Sequence, residues 1–242
     1  MLNYNIVKSI NTSYNLIARQ YIETDGYNLK AIADATDNAS SFITTLDVAR
    51  EEFSSIYSRG EWGKGSGVGS APETSRPYVD FLTQFIEINR VGSIVDFGCG
   101  DWQFSQFINW SQVRYFGFDV VGSVIRENIL RFAKTGISFH EFENFDAIPK
   151  VDLVVCKEVF QHLPNHIVIS YVNELRKKCR FMLITNDETP TDIVNNEIII
   201  GKWRPIRLDR EPFSIKGAYV TSYKSVHEGL VKSVFLVVGE LD

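Results

Sequence analysis

The chain has 242 residues, 44% of them hydrophobic and 13% aromatic, enough to bury one sizeable core. Its 25 Lys+Arg against 30 Asp+Glu leave a net charge of -5, the wrong sign for a protein whose main affinity comes from neutralising phosphates, so no nucleic-acid partner is expected. Cys99, Cys156 and Cys179 are too few, and wrongly spaced, for a disulfide framework or a zinc site; the lack of a long apolar run or signal-like N-terminus leads to an expected cytoplasmic protein without membrane insertion.

Residues 1 to about 57 read as helical, with Phe42, Leu46, Ala49, Phe53 and Ile56 on one face suited to core packing. A helical extension over 1–56 and a main domain over 57–242 are therefore expected. Residues 60–70, GEWGKGSGVGS, read as a mobile loop. They are no P-loop, because Lys64 is followed by Gly65 and no strand precedes them.

From residue 91 apolar runs alternate with helical patterns, which predicts βαβ units and a mostly parallel sheet. The predicted strands are Ser93–Phe97, Arg114–Asp119, Ile137–Phe142, Val151–Cys156 and Phe181–Thr185. The predicted crossover helices are Trp102–Trp110, Val124–Lys134 and His166–Lys178. Ala218–Tyr223 and Ser233–Val238 read as a closing hairpin, making seven strands.

The segment IVDFGCGDW, residues 94–102, ends an apolar strand at Asp96 and turns through Gly98 and Gly100. Such glycines bring backbone N–H groups close to a nucleotide-like ligand. Asp119, closing RYFGFD, is placed to accept two hydrogen bonds from a ribose diol, and the neighbouring Trp102 and Val120 are assigned to the same cofactor site. A nicotinamide dinucleotide site also uses a glycine turn and a ribose-binding acid, so an oxidoreductase is the rival enzyme reading. Two details oppose it: Gln103 stands where the third glycine of G-x-G-x-x-G belongs, and Asp96 suits a ligand ammonium better than a pyrophosphate.

On these residues the sequence resembles the class I S-adenosylmethionine-dependent methyltransferases, whose first motif is an acid followed by G-x-G and whose second is the ribose-binding acid. The resemblance implies an α/β Rossmann-like fold, a mostly parallel seven-stranded sheet with helices on both faces and an N-terminal helical cap. It implies S-adenosylmethionine as cofactor. Glu143 and Asn144 then lie where the family reads the adenine amino group, with Phe145 to pack on the ring. In VDLVVCKEVFQHL, Lys157, Glu158, Gln161 and His162 face the site of transfer, with Lys157 counted among the cofactor residues. GSGVGSAPETSRPY looks like the lid of a bacterial subgroup that modifies surface-polysaccharide sugars, which implies that Ser66, Gly67 and Arg76 cover the methionine end.

Methyl transfer from a sulfonium needs positioned partners and, for a hydroxyl acceptor, a base. His162 is the first candidate; Glu158 and Asp187 are the alternatives. Glu158, Asn186 and Asp187 also match positions where some metal-dependent catechol-type methyltransferases hold a divalent cation, which stands as the lesser reading beside a metal-free site. Trp62, Trp203, Arg204 and Arg207 are assigned to the acceptor, expected to be a small sugar linked to a nucleotide or phosphate in capsule or surface-polysaccharide biosynthesis. A protein, lipid or other small-molecule acceptor, and a cofactor-binding subunit without catalysis, are the alternatives. The oligomeric state is left open.

Overall fold

The computed structural model describes residues 45–188, 195–224 and 231–241. All but the first belong to one compact unit, Leu46–Asp242. The helical reading of residues 1–44 lies outside the described residues. Helix α1 (residues 45–59) buries Leu46, Ala49, Phe53 and Ile56 of the expected stripe, whose fifth member, Phe42, lies outside the described residues. The division expected at residue 56 thus falls inside a continuous helix.

Seven strands form one sheet in the order β3-β2-β1-β4-β5-β7-β6. They are β1 Ser93–Phe97, β2 Arg114–Asp119, β3 Ile137–Glu141, β4 Val151–Lys157, β5 Cys179–Glu188, β6 Ala218–Lys224 and β7 Val231–Val238. The first five pair in parallel, whereas β7 runs antiparallel to both β5 and β6. Every residue of β1 is buried, as a central parallel strand covered on both faces requires. The strand order reverses between β1 and β4, and a crevice opens there at the strands' carboxyl ends.

One face of the sheet carries Ile94, Tyr115, Leu153, Leu183 and Val234, packed under α2 (Pro72–Ile88) and the chain around Trp102, Phe104 and Trp110. The helix α3 (Gly122–Phe132) adds Ile125 to this core. On the other face Phe97 meets Tyr171 of α4 (Asn165–Arg176), ring centroids 5.6 Å apart. Strand alternation sends neighbouring residues to opposite faces, so Asp96 points to the first face and Phe97 to the second.

The helix predicted at Trp102–Trp110 is absent; a short 3-10 turn, Ser105–Phe107, takes its place. Trp102 adopts a left-handed conformation, φ 60°, which a helix cannot continue through, and Trp110 donates its indole N–H to the Ser105 carbonyl at 2.7 Å. The apolar spacing there serves core anchoring by Trp102, Phe104, Ile108 and Trp110 rather than a helix face. Among the described residues, no helix is long and apolar enough to cross a membrane.

Candidate functional site

A cavity of about 380 Å³ opens at the carboxyl ends of β1, β2, β4 and β5. At one end the β1 strand turns through Gly98 and Gly100, with φ of 78° and 53°. The backbone N–H groups of Gly98 and Cys99 both donate to the Phe118 carbonyl, at 2.8 and 3.0 Å. Asp119 accepts from the Gly100 N–H at 3.0 Å through one oxygen and from the Val121 N–H at 2.9 Å through the other. Buried Asn128 of α3 donates to the Gly100 carbonyl at 2.7 Å. No side chain fits at either glycine: a Cβ at Gly98 would lie 2.3 Å from Val159 Cγ2, and one at Gly100 2.2 Å from Ser66 Oγ.

Asp96 lies on the cavity wall, 2% exposed. Tyr115 and Ser105 donate hydroxyls to its Oδ2 at 2.5 and 3.4 Å, and among the described residues no donor reaches Oδ1. Burial lifts its pKa to about 6 despite the Tyr115 bond and the nearby Lys157 charge. Asp119, half-buried, is raised as well, mainly by burial, against the pull of its backbone donors.

The glycine-rich segment is tied down across this loop. Ser66 Oγ donates to Asp101 Oδ1 at 2.6 Å and accepts from the Asp101 N–H at 2.9 Å, which leaves Tyr57, 2.7 Å away, as a second donor to it. Lys157 Nζ and Ser75 Oγ both donate to the Gly69 carbonyl at 2.9 Å. The segment expected to be mobile is therefore bonded to α1, the glycine turn, β4 and α2.

The opposite end of the cavity is built around His162 and an ion-pair chain. Trp62 packs beside the imidazole, ring centroids 5.1 Å apart. His162 Nδ1 lies 3.2 Å from the Lys202 carbonyl, which can only accept, so Nδ1 carries the proton and Nε2 keeps a lone pair. Burial pushes the His162 pKa down to about 4, against the Lys202 bond and the charges of Glu158 and Asp187. Behind it, Glu158 pairs with Lys157 and, at 2.9 Å, with Lys232; Lys232 also meets Asp187 at 2.8 Å. The two lysines hold the Glu158 carboxyl down to about 2, overcoming its burial.

Most residues named from the sequence converge here. Asp96, Gly98, Gly100, Asp119 and Val120 line the cavity together with Ser66 and Gly67, and so do Trp62, Gln161, His162, Trp203, Lys157, Glu158 and Asp187. Others do not reach the cavity. Trp102 is buried among Tyr115, Phe132 and Phe139, its ring centroid 4.8 Å from that of Phe132. Arg76 is exposed on α2, and Glu143 is exposed beyond β3. Asn144 caps a short turn by accepting the Ala147 N–H at 3.1 Å. Phe145 packs behind the wall on Phe97, and Phe142 is the ring that reaches the cavity from this segment.

The two arginines assigned to an anionic acceptor are both occupied elsewhere. Arg204 is buried and donates to the carbonyls of Phe160, Gln161 and Leu163 and to Asn165 Oδ1, a structural clamp. Arg207 makes a bidentate pair with Asp209 and lies over the Tyr219 ring, 4.4 Å from its centroid. Neither lines the cavity. Glu158 and Asp187, offered as alternative bases, are both ion-paired with lysines, and the Lys232 ammonium lies between them. Among the described residues no three His, Cys, Asp or Glu side chains converge as a metal would require.

Tyr57, Phe142 and Lys232 were not foreseen. Phe142 and Lys232 carried a signal: Phe142 ends an alternating strand, and Lys232 shares its face of β7 with buried Val234. Tyr57 carried none, since its role depends on the distant turn it meets.

A family model described as "Methyltransferase domain" matches residues 72–188. A curated relative, trans-aconitate 2-methyltransferase of Rhizobium rhizogenes, is 32% identical over 113 residues, 45% of this chain and 43% of that protein. The match thus spans less than half the relative's length. Magnesium protoporphyrin IX methyltransferase from Synechocystis PCC 6803, solved with SAH bound, superposes with a TM-score of 0.56 at 14% identity, covering 80% of this chain and 99% of that one. Its SAM-bound structure gives 0.56 at 15%, over 81% and 97%. These likenesses establish the class I methyltransferase fold.

Proposed function

We propose that this chain, whose residues 72–188 match a methyltransferase-domain model, moves the methyl group of S-adenosylmethionine onto a hydroxyl of a small polar acceptor, a sugar being the favoured class. The observation that carries the hydroxyl assignment is His162: a neutral imidazole on the cavity wall, its Nδ1 proton committed to the Lys202 carbonyl and its Nε2 left to take a proton.

The donor end fits that cofactor. Gly98 and Gly100 line the cavity with bare backbone, where a Cβ would clash with Val159 or Ser66, and Asp119 keeps lone pairs on both oxygens for a diol. Asp96 is a buried carboxylate whose raised pKa marks an unmet demand for a cation, which an amino-acid ammonium supplies. Bound there, S-adenosylmethionine contributes a methyl carbon on an activated sulfur leaving group. The chain's own work is to hold both partners, exclude water under the 65–70 segment, and receive the acceptor's proton at His162 Nε2.

A nicotinamide dinucleotide fits less well, because no helix follows the glycine turn to offer its N-terminus to a pyrophosphate and two carboxylates face the site. A carboxylate acceptor, the chemistry named by the trans-aconitate relative, needs no base and favours an uncommitted cation. Lys157 and Lys232, the lysines lining the cavity, are already paired with carboxylates. The sugar, and with it a capsule or surface-polysaccharide intermediate, rests on the resemblance of the glycine-rich segment and on the indoles of Trp62 and Trp203 at the cavity, which suit a sugar face.

The test is mass spectrometry of reactions with methyl-labelled S-adenosylmethionine over nucleotide-linked sugars, methyl glycosides, catechol and trans-aconitate. An alkali-stable methyl ether on a sugar is the expected product. Alkali-labile esters alone would overturn the hydroxyl assignment, and calorimetry that detects no SAH binding would overturn the whole reading.

A further inference from the structure

Lys232 is a buried, charged residue that the mechanism above leaves without a task. It lies directly opposite Asp187 across the antiparallel β5/β7 pair, on the same face of β7 as core residue Val234, and is 4% exposed. Burying an ammonium carries a desolvation cost that an apolar residue there would avoid. Its position is tightly defined: Nζ is 2.8 Å from Asp187 Oδ1 and 2.9 Å from Glu158 Oε2. Glu158 is itself held, in a left-handed backbone conformation (φ 59°), by Lys157, which is anchored to the Gly69 carbonyl.

An ammonium has three donors. Two are spent on these carboxylates, and among the described residues no third acceptor meets Nζ, while Lys232 lines the cavity. Lys232, its two carboxylate partners and His162 all line the same cavity, so the ion-pair chain and the imidazole border one volume. His162 is a weak base, with a pKa of about 4, and an acceptor hydroxyl is a far weaker acid than the imidazolium that would form. Such a pair works only if negative charge developing on the acceptor oxygen is stabilised at the same time.

We infer that Lys232 is a catalytic residue of the acceptor subsite, donating its remaining N–H to the oxygen that becomes methylated. The inference rests on the hydroxyl reading above and deepens it. As the O–H bond breaks, its proton passes to His162 Nε2. The oxygen's electron pair forms the new bond to the methyl carbon, and the C–S pair departs with sulfur. The two lysines and two carboxylates sum to no net charge, so the acceptor group they receive is an uncharged hydroxyl rather than a phosphate or carboxylate.

The test compares Lys232→Gln with the unaltered protein on two probes: the sugar methylated fastest in the panel, and its deoxyfluoro analogue with fluorine beside the reacting hydroxyl, which is more acidic. Loss of an oxyanion donor predicts about a 100-fold fall in kcat for the plain sugar. For the fluorinated analogue the fall should be under about tenfold, because less stabilisation is needed, and SAH affinity should stay unchanged. Equal losses on both probes, or none, would overturn the inference while leaving the hydroxyl reading intact. If the unaltered protein forms no methyl ether with any probe, the hydroxyl reading fails and the inference with it. Should Lys232→Gln fail to fold, the charge-balanced Lys232→Gln/Asp187→Asn pair is read by the same ratio.

Discussion

The two ends of the cavity are built by different physics. The end proposed for the donor is built from backbone: two glycines in left-handed conformations, a peptide path pinned by Asp119 and Asn128, and all of it within a short span from β1 to α3. The end proposed for the acceptor is built from side-chain charge: Lys157 at the end of β4, Glu158 just after it, Asp187 of β5 and Lys232 of β7 are ion-paired with one another. A backbone site tolerates no added atom, whereas a charge network tolerates no change of partner. The donor end is accordingly open to steric attack and the acceptor end to electrostatic attack.

The sharpest probe of the acceptor end is His162→Ala. Removing a general base should cut kcat by about 10²- to 10⁴-fold with SAH affinity intact in calorimetry, and a parallel loss of affinity would erase the boundary between the two ends. The unaltered enzyme's pH profile follows from the same residue. A base with a pKa of about 4 is deprotonated above roughly pH 5, so kcat should be flat from there to neutrality and fall only as pH drops towards 4.

Gly98→Ala attacks the donor end by sterics alone. Left-handed strain and the clash with Val159 together predict a loss of about 2–5 kcal/mol of stability by denaturant titration, and SAH binding weakened with it. A variant as stable as the parent would mean that the turn yields easily.

Asp96→Asn tests charge at the donor end. Losing a charged hydrogen bond to an ammonium should cost about 1.5–3 kcal/mol of SAH affinity at pH 7.5. The sign of the pH effect is fixed by linkage. Asp96 holds a proton below about pH 6 in the free protein, and a ligand ammonium favours the ionised form, so binding must expel that proton in acid. SAH affinity should therefore fall as pH drops below about 6, and the fall should vanish in Asp96→Asn. An unchanged slope in the variant would assign the titration to another group.

The smallest effect is expected at Arg207→Ala. Its partners Asp209, Glu188 and Tyr219 lie outside the cavity, so stability should change by no more than about 1 kcal/mol and the acceptor KM not at all. A raised KM would return Arg207 to the acceptor site.

The glycine turn and the acid beside it are legible in the sequence, because local chemistry dictates them: glycine readily takes the turn after Asp96, and a strand ending in Asp119 brings an acid to the same edge. The strands were legible for the same reason, since short apolar runs broken by polar or glycine-containing segments suit a parallel sheet covered on both faces. The departures from expectation share a cause. Trp102, Phe145 and the expected helix after the glycines were read from neighbours in sequence, but those aromatic rings are claimed by distant partners, Phe132 and Phe139 for Trp102 and Phe97 for Phe145.

Arg204 and Arg207 show the same limit for charge. An arginine's composition says that it can grip an anion, yet whether that anion is a ligand depends on which carbonyls and carboxylates the fold brings to its fork. Fold class, strand order of appearance and the glycine turn were thus determined by the sequence itself, through periodicity and backbone sterics that act over a few residues. The pairing of Lys232 with Asp187 and Glu158, the tautomer of His162 and the tying down of the 65–70 segment were decided only by tertiary structure, because each depends on hydrogen-bond partners that the chain brings together from far apart.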